Sequence, residues 1–151
     1  MDHGRVFRDV LLVICVLLCC VSSGCCHINL EEFRQSTLGS QITQYQQAKA
    51  AHCITNDRVT LLDIIADHGC PAAEAMTTLL DARSADFPVE DAFTVLSFVH
   101  FGGCDLRHHP VMAVLRRFQA TSPDAAVRAA ASRTIHGIET FDPEAKRKSH
   151  K

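Results

Sequence analysis

The sequence predicts an all-α domain, and three observations carry that prediction. Pro71, Pro88, Pro110 and Pro123 each stand just before an apolar-periodic segment. Gly69, Gly102–Gly103 and Gly137 fall where those segments would stop. No stretch alternates apolar and polar residues for long enough to read as a strand. Proline suits a first helical position, having no N–H to leave unpaired and a φ that is already helical. Glycine suits the left-handed backbone of a helix C-cap. Together they mark five helices near 57–68, 71–83, 88–101, 110–120 and 123–138. The short connections predict an antiparallel αα-hairpin stack or a compact bundle of five to six helices.

The first segment, 1–24, is expected to lie outside that fold. Arg5 and Arg8 precede an unbroken apolar run from Val10 to Val21, followed by Ser22-Ser23-Gly24-Cys25-Cys26. A cationic flank, an apolar stretch and small residues make a secretory signal peptide. The run is well short of the roughly 20 residues that cross a bilayer as a helix. Gly24 and Ser23 before Cys25 resemble a bacterial lipoprotein lipobox, although Ser22 stands where Leu, Val or Ile is usual. That resemblance implies acylation of Cys25, two acyl chains being enough to hold a protein stably on a membrane. An ordinary cleaved signal and a short uncleaved anchor are the other readings of the segment.

Residues 25–54 read as a polar tether and first helix. They are glutamine-rich, with Ile42, Tyr45 and Ala48 at helical spacing. In the main domain, 55–140, the predicted apolar faces follow the same periodicity. They are Val59, Leu62 and Ile65; Ala72, Met76, Leu79 and Leu80; Val111, Leu115 and Phe118; and Val127, Ala130, Ala131, Ile135 and Ile138. The 88–101 segment is apolar nearly all round (Ala92, Phe93, Val95, Leu96, Phe98, Val99), which places it at the centre. A basic tail, 141–151, carries Lys146, Arg147, Lys148 and Lys151.

The segments Val59–Cys70 and Phe93–Cys104 look alike, each ending in a glycine–cysteine corner before a proline-started helix. Their offset falls in the range of helical-repeat proteins. A third unit begins at Ser122-Pro123-Asp124-Ala125-Ala126-Val127-Arg128-Ala129-Ala130-Ala131. That stretch resembles a HEAT-like repeat helix, with its Asp–x–x–Val–Arg–x–Ala–Ala core. The resemblance implies protein–protein binding on a helical surface, with Asp124 and Arg128 tying adjacent repeats.

Cys26, Cys53, Cys70 and Cys104 follow Cys25, with His52, His68, His100, His108 and His109 nearby. Equivalent corners of an αα-stack lie on one edge, so Cys70 and Cys104 should be close. An exported domain is expected to oxidise them, with Cys70–Cys104 the first pairing and Cys26–Cys53 the second. Two other readings stand beside this one. The cysteines serve as small buried hydrophobes, or His68, Cys70, Cys104 and His108 supply the four N and S ligands that zinc or copper takes.

Charge and motifs narrow the function further. The net charge is −2, with 47% hydrophobic and 21% charged residues, which gives no basic surface for nucleic acid. No G-x-S-x-G elbow, phosphate-cradling loop or H-E-x-x-H helix occurs, so no enzyme is expected and no cofactor is required. Glu90, Asp91 and Asp105 read as surface charge. Asp63 and Asp67 share a helix face and also read as solvated. The sequence therefore points to an exported, membrane-tethered helical protein that binds another envelope or secreted protein. The surface near Asp124 and Arg128 and the loop 102–109 are the expected contacts. A metal-binding or thiol-redox protein is the alternative.

Overall fold

The computed structural model describes residues 28–53, 57–83 and 87–143. Among them the chain is helical, in seven segments: α1 (Leu30–Gln35), α2 (Leu38–Ala50), α3 (Arg58–Ala66), α4 (Cys70–Asp81), α5 (Val89–Phe101), α6 (Val111–Thr121) and α7 (Ala125–Thr140). No strand occurs among the described residues. No described helix is long and apolar enough to cross a membrane. The predicted signal segment with Cys25 and Cys26, and the cations of the tail, lie outside the described residues.

The helices form where the sequence signals place them. Asn29 Oδ1 accepts from the Glu31 and Glu32 N–H groups at the start of α1. Thr37 and Asp124 cap α2 and α7 in the same way, giving otherwise orphaned N–H groups an acceptor. Pro71 sits in the first turn of α4, and Pro88 and Pro110 directly precede α5 and α6. Gly69, at φ +66°, makes the tight turn between α3 and α4, a conformation that L side chains rarely adopt.

Helix α5 is central, as its all-round apolarity predicts. It packs against α3, α4 and α7, while α4 packs on α6 and α6 on α7. The result is two rows, α3–α5–α7 and α4–α6, in which helices two apart in the chain are neighbours. Phe93, Val95, Leu96 and Val99 of α5 are buried against Leu62, Ile65, Met76, Leu115, Ala131 and Ile138 in one continuous core.

Three local expectations are corrected. Residues 28–53, read as a tether leading into one helix, form two helices that belong to the folded body, with Phe33 and Tyr45 fully buried. Gln41 closes the break between them, donating from Nε2 to the Phe33 and Ser36 carbonyls. Val59, assigned to the buried face of α3, is 60% exposed, and Leu61 and Ile64 are buried instead. Helix α3 is covered by α2 on one side as well as α4 and α5 on the other, so its buried arc is wider than one stripe and rotated away from Val59. Gly137, read as a helix stop, lies inside α7, which continues to Thr140. A Cβ there would meet the Phe101 ring at 3.5 Å, so this position is where α7 and the end of α5 come close.

Candidate functional site

The two predicted corners meet. Cys70 begins α4, Cys104 follows α5, and they form a disulfide with Cα atoms 5.5 Å apart across a separation of 34 residues. That separation matches the repeat offset, so the bond joins equivalent turns on one edge of the stack. Cys53 is disulfide-bonded too, and Cys26, the pairing expected for it, lies outside the described residues. The other two members of the expected ligand set are not gathered round the sulfurs. His68 Nε2 donates to Gln41 Oε1 at 3.1 Å, and His108 is exposed. A sulfur committed to a disulfide has no thiolate to offer a metal. Among the described residues, no group of three or more His, Cys, Asp or Glu side chains is placed to hold a metal ion.

Asp124 and Arg128 serve their own turn. Asp124 Oδ1 accepts from the Ala126 N–H at 2.7 Å. Arg128 Nη1 donates to the Ser122 and Pro123 carbonyls at 2.7 and 3.0 Å. In the loop after α5, Cys104 and Leu106 are buried. Asp105 and Arg107 pair outside them, and Arg107 also reaches Asp142. The Arg107 side chain and its backbone N–H together hold the Asp105 carboxyl well below the usual carboxylate range.

Two buried polar residues organise the core. Asp91, expected at the surface, is 1% exposed. Its carboxylate accepts from Tyr45 Oη at 2.6 Å and from Arg58 Nε at 2.7 Å, with a second contact from Arg58 Nη2. Lys49 Nζ adds a longer ion pair at 3.5 Å. Burial, followed by the bond to Asp91, raises the Tyr45 phenol above its ordinary range. Asp91 likewise raises the Arg58 guanidinium, whose burial works in the opposite direction. The sequence hint was Asp91's place four residues before Val95 on a helix apolar all round. Its partners lie 46 and 33 residues away, beyond the reach of local pattern. His100, fully buried, accepts from the Leu106 N–H at Nδ1 and donates from Nε2 to the Phe141 carbonyl. It is a satisfied core histidine, as its position on an apolar face suggests.

Grooves open on both sides of the stack. Two flank α5 on the α3–α5–α7 row and share the half-exposed Phe101. One of about 320 Å³ holds Asp63, Asp67 and Phe98. The other, of about 430 Å³, holds Arg58, Glu90 and Arg133. A third cleft, of about 350 Å³, lies at the edge opposite the disulfide, between the α4–α5 and α6–α7 turns. Arg83 and Arg117 line it together with Phe87, Val89 and Phe118. It adjoins the predicted Asp124–Arg128 surface but uses other residues, and nothing in the local pattern marks Arg83 or Arg117 as a binding pair. No protein-family model matches this chain, and neither a curated protein nor a solved structure matches it.

Proposed function

We propose that this chain is an exported helical-repeat protein, anchored through acylated Cys25, that works as a protein–protein interaction module for another envelope or secreted protein. One observation carries the reading: helices two apart in the chain stack into two rows, and a disulfide fastens equivalent turns of that stack. Such a body presents rigid helical faces with grooves between them. A disulfide between equivalent corners suits a protein that works in an oxidising compartment. Val59 and Phe101 remain exposed on α3 and α5 as apolar anchor points.

The test has two parts. The intact mass of the protein from its own cells is expected to match residues 25–151 carrying a diacylglyceryl and an acyl group. Photo-crosslinkers placed at Val59 and at Thr121, in the producing cells, are expected to give a discrete polypeptide adduct. A cytoplasmic chain that keeps residues 1–24, or an absence of adducts at both positions, would end the reading. The thiol-redox alternative retains one supporting observation, the exposure of Cys70 at the outer side of its bond. It requires Cys70 of the reduced protein to alkylate rapidly, whereas an interaction module keeps its adducts when Cys70 and Cys104 are both serine.

A further inference from the structure

The cleft opposite the disulfide has features that core packing does not require. Arg83 directly follows the last turn of α4 with φ +48°, a left-handed conformation that glycine enters freely and an L side chain enters only at a cost. Its guanidinium has no hydrogen-bond or ion-pair partner among the described residues. Arg117, which also lines the cleft, gives one Nη1 donor to Asp81 at 3.0 Å. A guanidinium carries five N–H donors, so most of its capacity is left over. Phe87, Val89 and Phe118 give the same cleft an apolar part, beside Thr121 and Ser122. The carbonyls just after α6 would repel an anion, but Arg128 takes those of Ser122 and Pro123.

We infer that this cleft binds the free carboxyl terminus of a partner polypeptide whose last residue has an apolar side chain. Guanidinium groups match a carboxylate in geometry and charge, and the planar fork of each can hold both oxygens. The apolar lining receives the terminal side chain. A volume of about 350 Å³ suits a terminal residue or two, not a folded element. The cleft is open along one side, which gives the preceding chain a way out; a free small acid would be better served by an enclosed pocket. This inference rests on the reading of the protein as an interaction module and names the part of the partner that it grips.

The full oxidised protein, labelled with ¹⁵N, is titrated with N-acetylated tetrapeptides ending in leucine, valine or phenylalanine, each as free acid and as carboxamide. 4-Methylpentanoate is the small-acid control. The free acids are expected to shift the Arg83, Phe87 and Ser122 amides saturably, with the carboxamides weaker by about tenfold or more. Arg83→Gly is expected to weaken binding by a similar factor while leaving Tm unchanged or raised, because glycine fits the left-handed backbone. Asp81→Asn is expected to tighten binding by releasing Arg117. Equal binding of acid and carboxamide would overturn the carboxylate recognition. Binding of 4-methylpentanoate as tight as that of the peptides would make this a small-acid site and overturn the polypeptide assignment. No saturable shift with any peptide would overturn the inference outright; persistence of the Thr121 adduct in Arg83→Gly would then show that the module reading survives without it.

Discussion

The two edges of the helical stack are built from equivalent turns and are held in opposite ways. On one edge the α3–α4 and α5–α6 turns are joined covalently through Cys70 and Cys104. On the other, the starts of α3 and α5 are drawn together by Arg58 and Asp91, with Tyr45 and Lys49 of α2 completing the knot. There the α4–α5 and α6–α7 turns leave a cleft between them. The covalent edge stabilises mainly by limiting the unfolded chain. The ionic edge acts in the folded state, and so depends on protonation and on a complete set of partners. A scaffold with one edge fixed covalently can keep strained and unpaired groups such as Arg83 on the other.

That contrast can be broken from either side. Replacing both Cys70 and Cys104 with serine should have the largest effect, about 3–4 kcal/mol in denaturant unfolding, as expected for a closed loop of this length. The spectrum of the folded state and any crosslinked adduct should be unchanged. Removing the opposite clasp should cost somewhat less. Asp91→Asn replaces one accepting oxygen with an NH2 group that faces a donor, and should lose about 2–3 kcal/mol at neutral pH.

Tyr45→Phe sharpens the comparison through pH. It should cost about 1–2 kcal/mol, since it removes a hydrogen bond to a charged acceptor. Because folding raises the phenol above its ordinary value of 10.0, its contribution is fully present below pH 10 and is lost as pH rises through the folded value. The stability gap between the native and Tyr45→Phe chains should therefore narrow in alkali. The disulfide contribution should show no such dependence over the same titration. The smallest effect belongs to the exposed Asp105–Arg107 pair. Asp105→Asn should cost under about 1 kcal/mol, as surface pairs do. Folding lowers this carboxyl below its ordinary 3.8, so its contribution is present above that pH and disappears as the acid titrates below it.

What could be read in advance follows the range of the forces involved. Pro71, Pro88 and Pro110 act within a turn of themselves, and the starts of α4, α5 and α6 were legible from them. The Cys70–Cys104 bond is long-range in sequence yet was legible, because the repeat offset converts sequence distance into proximity. Asp91 was not legible. Its neighbours in the chain suggest the polar start of a helix, and only Tyr45 and Arg58, brought in from α2 and α3, make its burial tolerable. Gly137 misleads because glycine at a helix end and glycine at a close approach look alike in sequence; the Phe101 ring separates the two cases. Arg83 gave no signal, since Asp81-Ala82-Arg83 contains none of the glycine or asparagine that usually marks a left-handed helix end.

His100 ties the chain beyond helix α7 to the folded body. The buried imidazole of the central helix reaches past the last turn of α7 to the Phe141 carbonyl, and the Phe141 ring packs edge-on against both His100 and Phe101. A chain cut at Thr140, where helix α7 stops, would keep helices α1 to α7 and yet strand a ring N–H in the interior without an acceptor. The folded body therefore extends past the end of α7. Phe141 and the buried Pro143 therefore belong to the body.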